Sequence, residues 1–358
     1  MKRLFYLLSL VFILSACNED EPLIQGPDDM EPGEVTVDSI EIELLDFGEP
    51  DTRNYFVIFD FTARDPGYIW GCTYPQNGSA SRYAAIFSYD LATNEIEIFE
   101  APANFNIRNL EKIEAGPDGK LYMASGSSLH KGVAVFTPDT RQWSAIEVPG
   151  FVNAIEVDEA TNTLWIAHRA GVSRYQDGDV FTYDRSNSDL LMTDPEDSFS
   201  GFTLAVDKSG IVWYANQNDI YTFIDGEWSL HPLSPLSENY IVSGMVPSQS
   251  DGVLIKTPFE SLHVLDTDSE IRNYNEVNQL ASSSILPGLM DRASDESVIY
   301  AFTRSIHYYD AIQDTIIQVD ATNSRFPMNG VCVGLDRYLE GNLWVGGDEV
   351  LAKLPAGW

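Results

Sequence analysis

An all-β ring of seven four-stranded sheets, a seven-bladed β-propeller, is the fold that three features of this 358-residue chain predict. After residue 40 no stretch sustains a helical period, and short β-branched and aromatic runs alternate with Gly, Asp and Asn turns, the pattern of successive hairpins. A turn followed by a bulky residue recurs as "DPGYIW" ending at Trp70, "PDGKLY" at Tyr122, "ATNTLW" at Trp165, "KSGIVW" at Trp213, "SDGVLI" at Ile255, "SDESVIY" at Tyr300 and "EGNLW" at Trp344. The spacings of 52, 43, 48, 42, 45 and 44 residues fit a blade of four strands. Finally, six copies are followed by a fourth strand and the seventh is not.

The N-terminus sets the address. Lys2 and Arg3 precede an apolar run, Leu4 to Leu14, that is too short to span a bilayer comfortably. The run ends in "LSAC", which resembles the lipobox of bacterial lipoproteins. That resemblance implies a signal peptide over 1–16, cleavage before Cys17, and acylation of Cys17 with several chains, enough for stable anchoring in a membrane. Residues 18–34 carry seven acidic side chains, no basic ones, three Pro and two Gly, so 17–34 reads as a lipidated, disordered, self-repelling tether. The acidic cluster after Cys17 resembles the surface-export signal of Bacteroidetes lipoproteins, which implies an outer-membrane, cell-surface location. The alternative is a plain spacer facing the periplasm.

Residues 35–358 are expected to form the propeller. In each unit an apolar strand, such as "TLAVD" at 203–207, leads through a turn into the strand that bears the bulky residue. A third strand ends near an Asp ("AIFSYD", "IYTFIDG", "LHVLD"), and a fourth follows ("EIEIFE", "QWSAIEV", "EWSLHPL"). The "DG" pairs before "DVFTY" and "EWSLH" suit tight hairpins, because Gly tolerates positive φ. The strand-like segment 34–47, "EVTVDSIEIELLDF", has no other evident partner, so it is expected to pair with "EVLAKL" and close the ring. Closure would also remove an exposed β-edge. The recurring Trp and Tyr residues are expected in the core between blades rather than at a sugar-stacking surface.

Two repeats, "NSDLLMTDPEDSFSGFTLAVDKSGIVWYANQNDIYTF" and "NSRFPMNGVCVGLDRYLEGNLWVGGDEVLAKL", resemble the two-component regulator propeller repeat. In that family such repeats form periplasmic sensors of hybrid histidine kinases that recognise polysaccharide breakdown products. This sequence shows no kinase, no DNA-binding domain and no transmembrane helix after the repeats, so the resemblance implies the fold and not the signalling output. A further segment, "IEAGPDGKLYMASGSSLHKGVAVFTPDTRQWSAIEVP", is similar to a blade of the streptogramin lyase family, whose chemistry uses Mg²⁺ with catalytic His and Glu. The corresponding strand ends here read "YMAS", "WIAH", "WYAN" and "WVGG", where only His168 offers a base.

Charge narrows the partners. The whole chain has 21 basic and 55 acidic residues, a net charge of −34, which argues against nucleic acid and against electrostatic attachment to anionic lipid. Membrane contact is therefore expected through the lipid on Cys17 alone. The loops between second and third strands gather basic residues in this acidic chain: Arg82, Lys131, Arg169, Lys256 and Arg304, with His130 and His168 beside them. Such a channel mouth would attract an anionic glycan or protein ligand. The competing reading is that these side chains only offset Asp219, Glu260, Asp348 and Glu349 on the same face. The five His residues show no metal-ligand spacing, no EF-hand order is present, and no cofactor or catalytic set is expected. Cys72 and Cys332 sit in apolar strands as buried thiols, with a bridge between them as the alternative. The expectation is a non-catalytic binding module. The alternatives are a lyase-like propeller enzyme and a sensor subunit of a separate signalling protein.

Overall fold

The computed structural model of the protein describes residues 43–44, 58–65, 67–73, 84–125, 131–190, 202–216, 219–232, 242, 244–248, 252–256, 262–273, 290–294, 297–302, 305–310, 315–319, 332–337, 343–347 and 350–354. All of them fall in the compact unit Val35–Trp358. Every regular element among them is a strand, and every strand pairing is antiparallel.

The short β1 (Glu43–Leu44) comes first. β2 (Ile58–Asp65), β3 (Tyr68–Thr73), β4 (Ala85–Asp90) and β5 (Ile96–Glu100) form a meander in chain order. β6 (Leu110–Ala115), β7 (Leu121–Ser125), β8 (Lys131–Thr137), β9 (Gln142–Asp158), β10 (Thr163–His168), β11 (Gly171–Gln176) and β12 (Asp179–Tyr183) make one seven-stranded sheet. β13 (Phe202–Val206), β14 (Val212–Asn216), β15 (Asp219–Ile224) and β16 (Glu227–Leu230) form the next meander. β17 (Gly244–Pro247), β18 (Val253–Lys256), β19 (Leu262–Leu265) and β20 (Glu270–Asn273) follow, then β21 (Met290–Ser294), β22 (Ser297–Phe302), β23 (Ser305–Asp310) and β24 (Thr315–Val319). The last sheet has the order β1-β27-β26-β25, from β25 (Cys332–Arg337), β26 (Leu343–Gly347), β27 (Val350–Leu354) and the N-terminal β1. Glu43 lies opposite Lys353 and Leu44 opposite Ala352. Of the expected strand 34–47, residues 34–42 and 45–47 lie outside the described residues.

Turn chemistry accounts for much of the repeat. The Asp177-Gly178 and Asp225-Gly226 pairs all have positive φ (53°, 92°, 53° and 92°), as a two-residue hairpin with the right strand twist requires. The Asp that closes a third strand caps its own turn. Asp90 Oδ1 accepts from the amides of Ala92 (2.8 Å) and Thr93 (3.2 Å), and Asp266 Oδ1 accepts from Asp268 (2.9 Å) and Ser269 (2.7 Å). These side chains satisfy amides that the hairpin leaves unpaired.

One junction differs from the sequence reading. "QWSAIEV" is not a separate fourth strand: β9 continues through Pro149 and Gly150 to become the first strand of the next meander. Its partner β8 follows it only by a register jump, from Val133 opposite Ile146 to Lys131 opposite Phe151. Pro149 has no N–H to contribute at the crossing, and a Cβ on Gly150 would fall 2.9 Å from the Ala170 nitrogen. A second difference is a shift of one residue. Leu254, not Ile255, holds the place of Trp213, because Pro247–Val253 closes its turn as Val206–Val212 closes the other.

Trp70, Tyr122, Trp165, Trp213 and Trp344 of the second strands are buried between sheets. Trp70 lies 6.0 Å from the Phe136 ring of the following sheet, Tyr122 packs with Leu164 and Ile166, and Trp165 stands 5.0 Å from Phe223. Trp213 packs with Val253 and Leu265, and Trp344 of the last sheet packs with Ile58, Phe61 and Phe87 of the β2–β5 sheet. Gly346 lets the two sheets approach, since a Cβ there would sit 2.7 Å from the Phe61 ring. The first strands touch in succession, β2 with β6, β6 with β9, then β13, β17, β21 and β25, and β25 touches β2.

A buried carboxylate joins two of these sheets. Asp207 Oδ1 accepts from the amides of Ser209 and Ile211, and Oδ2 accepts from the Trp213 indole N–H at 2.9 Å and from the Gly252 amide at 3.2 Å. Asp207→Ala strands the two buried donors, the Trp213 indole N–H and the Gly252 amide, at about 1–3 kcal/mol for each. Urea unfolding should show a loss of about 3 kcal/mol for Asp207→Ala and a smaller loss for Asp207→Asn, which keeps one acceptor oxygen. Equal losses in the two variants, or none, would contradict this role.

Candidate functional site

Three of the seven basic residues singled out from sequence come together in space. Lys131 opens β8, opposite Phe151 in the β8–β9 register. Arg169 lies in the two-residue turn after β10, and its amide donates to the Phe151 carbonyl at 3.1 Å. Both cations point at one ring: Lys131 Nζ is 5.9 Å and the Arg169 guanidinium carbon 5.3 Å from the Phe151 centroid. Contacts of this kind contribute about 0.5–1 kcal/mol each at exposed sites. Lys131 is exposed, whereas Arg169 and Phe151 are half-buried.

His168 lies beneath the turn and is fully buried. Its Nδ1 accepts from the Ala170 amide at 3.2 Å, so Nε2 carries the proton and donates to Ser173 Oγ at 2.7 Å. Ser173 Oγ is in turn 2.8 Å from Thr182 Oγ1. Burial pushes the imidazole pKa down to about 4, so His168 is neutral at pH 7. With both nitrogens engaged and the ring out of solvent, it braces the turn and offers no base to a ligand. Gly150 passes directly under it, where a Cβ would lie 3.0 Å from His168 Nδ1.

Lys256 is not at an open mouth. It ends β18 at 5% exposure, and burial lowers its pKa to about 8. Arg82, His130 and Arg304 lie outside the described residues, as do Cys17 and the offsetting Glu260, Asp348 and Glu349. Asp219 starts β15, and burial raises its pKa. Among the described residues no His, Cys, Asp and Glu group could hold a metal ion.

Sequence reasoning passed over Phe151, whose only signal is its place after Pro-Gly, where one strand crosses between sheets. It also passed over Asp60. That side chain accepts from the Ile113 amide at 3.1 Å and lies 3.7 Å from Lys112 Nζ, joining the first strands of two sheets. Burial raises its pKa against the opposing effect of Lys112. Cys72 is a buried free thiol whose Sγ donates to the Lys112 carbonyl at 3.6 Å, which sets aside the bridge to Cys332. Desolvation lifts its pKa well above the ordinary thiol value.

No protein-family model matches the chain, and no curated protein matches it in sequence. Solved structures do resemble it. A streptogramin B lyase shares 14% identity over 88% of this chain and 97% of its own, with a TM-score of 0.63. The extracellular domain of a putative one-component system from B. thetaiotaomicron shares 15% identity over 88% of this chain and 40% of its own, with a TM-score of 0.61. YCF48 from Cyanidioschyzon merolae shares 14% identity over 87% of this chain and 98% of its own, with a TM-score of 0.59. At such identities the likeness is one of fold: the chain is an all-β protein with propeller-like neighbours.

The His168 geometry fixes a pH dependence. Its folded pKa lies below the ordinary 6.5, so as pH falls through 6.5 the unfolded chain takes up a proton that the folded chain refuses. Stability from this group is complete above pH 6.5 and declines toward pH 4. Between pH 6.5 and 5 the loss should be about 2 kcal/mol. Urea unfolding at pH 7, 6 and 5 should show this decline in the parent and a flatter one in His168→Asn. Parallel declines would show that His168 does not govern it.

Proposed function

We propose that this protein is a lipid-anchored, seven-bladed β-propeller of the bacterial envelope. It binds an anionic ligand on the face of the second-to-third-strand loops and does not transform it. The observation that carries the reading is the convergence of Lys131 and Arg169 on Phe151, with no carboxylate partner for either cation among the described residues, in a chain of net charge −34. Local positive potential inside a negative surround is a device for focusing an anion.

The seven-blade ring is supported by the meander count, in which β9 serves twice, and by the packing of Trp344 on Phe61 and Ile58. Its closure by the N-terminal segment rests on the β1–β27 pairing. Anchoring rests on "LSAC" at Cys17, and surface exposure on the acidic run that follows. The extracellular placement named for the B. thetaiotaomicron neighbour is in keeping with that address. The ligand classes that suit the address are glycan fragments and other envelope proteins. A lyase-like reading draws no support from His168, which is buried, neutral and hydrogen-bonded at both nitrogens.

Two measurements test this reading. Cys17→Ala should move the protein from the membrane fraction to the soluble one, and quantitative retention in the membrane would refute the anchor. The parent chain, screened on neutral, carboxylated and sulfated oligosaccharides and against envelope extracts, should bind at least one anionic class saturably. Binding should fall at least about tenfold in the Arg169→Glu, Arg304→Glu double variant, since charge reversal at a ligand-facing cation costs upward of 1.4 kcal/mol. Undiminished binding in that variant would move the site elsewhere.

A further inference from the structure

A second arginine in the same fold indicates what Lys131 and Arg169 would hold. Arg141 lies over the Phe99 ring with its guanidinium carbon 5.3 Å from the centroid, the same separation as Arg169 over Phe151. The pair is completed by a planar carboxylate: Arg141 Nη1 is 2.7 Å from Glu97 Oε1, and Nη2 is 2.9 Å from Glu97 Oε2. An arginine laid on a phenylalanine thus presents its two-pronged edge to a carboxylate, the geometry a guanidinium fork prefers. Arg169 receives no such group from the chain among the described residues, and a second cation, Lys131, lies against the same ring.

The backbone presets this arrangement. Lys131 is placed by strand pairing with Phe151, and Arg169 by its amide bond to the Phe151 carbonyl. Gly150 lets the turn pack this close, because a Cβ there would meet the nitrogens of Ala170 at 2.9 Å and Arg169 at 3.1 Å. His168 fixes the turn and adds no positive charge of its own. Three other described cations, Lys112, Lys120 and Arg141, lie against Asp60, Asp118 and Glu97, whereas Lys353 over the Trp344 ring shares the unpaired state of Arg169 among the described residues.

We propose that Lys131, Phe151 and Arg169 form a preorganised clamp for a carboxylate group of the ligand. The Arg169 fork holds its two oxygens, Lys131 adds a second charge, and the Phe151 ring keeps both cations in place. This clamp rests on the anion-binding reading above and gives that ligand its chemistry.

The test uses the full chain with ¹⁵N-labelled arginine. Arg169 is assigned by its loss in Arg169→Lys, and the exposed Arg185 serves as an internal reference. Acetate and methanesulfonate, monoanions of planar and tetrahedral shape, are titrated separately at constant ionic strength. The Arg169 Nε–H signal should shift saturably with acetate and by at least about threefold more than that of Arg185. Its affinity for acetate should exceed that for methanesulfonate about threefold, and Phe151→Leu should weaken it by a similar factor. Lys131→Gln, at an exposed position, carries the same expectation and stands in if Phe151→Leu does not fold. An Arg169 response no larger than that of Arg185, an equal response to both anions, or one indifferent to both variants would overturn the clamp. Failures of the two proposals separate cleanly. A saturable acetate response without any array ligand would keep the clamp and overturn the binding-module reading, and array binding unchanged by Phe151→Leu would do the reverse.

Discussion

A four-stranded antiparallel sheet of this sequence cannot stand alone, because both of its faces are apolar. In β14, Val212 and Tyr214 pack with the preceding β-meander while Trp213 and Ala215 pack with the following one. The same alternation splits Leu121 and Met123 from Tyr122 and Ala124 in β7. In these strands a period of two therefore places the sheet between two neighbours, and each sheet supplies part of the cover its neighbours need. Removing one large ring from such a core costs about 3–5 kcal/mol. The requirement for cover on both faces also binds the last sheet: Trp344 and Leu351 find theirs in Ile58, Phe61 and Ile69.

Polar groups are organised by the same need. Many acidic residues of this chain are turn caps before they are surface charge. Asp90, Asp158, Asp207 and Asp266 each accept from amides of the turn they sit in. Hairpins are short and frequent here, so such caps recur, and these carboxylates serve the turns they sit in. Against that background two basic side chains on one ring, with no ion pair to a carboxylate among the described residues, are informative. Lys131 and Arg169 are held on Phe151 by backbone pairing, so the positive spot does not depend on flexible side chains finding each other.

The architecture was legible because its signals are local. Trp70, Tyr122, Trp165, Trp213 and Trp344 mark second strands within a repeat of nearly constant length, and the Asp-Gly pairs mark hairpins whose positive φ values suit them. What misled was also local. Aligning the repeats by the turn glycine put Ile255 in place of Leu254, because Gly210 and Gly252 take different places in five-residue turns. "EVPGF" looked like a break, yet the chain crosses between sheets there as one strand. Basic residues of the face could be gathered from loop positions, but their burial could not. His168 and Lys256 occupy equivalent-looking strand ends, and only packing decides that both are enclosed while Lys131 is exposed. Phe151 carried no motif at all; its importance comes from one ring being shared by two cations that are 38 residues apart in the chain.

The proposed completion of a ring of mutually covering sheets by the N-terminal strand segment is measured directly by paired truncations. Removing residues 18–33 should leave the melting temperature and the monomeric state unchanged. Removing residues 18–47 takes away β1 and bares the edge of β27, so it should cost on the order of 3 kcal/mol in unfolding free energy and drive association through the open edge. A protein lacking residues 18–47 that remains monomeric and melts with the parent would contradict the account.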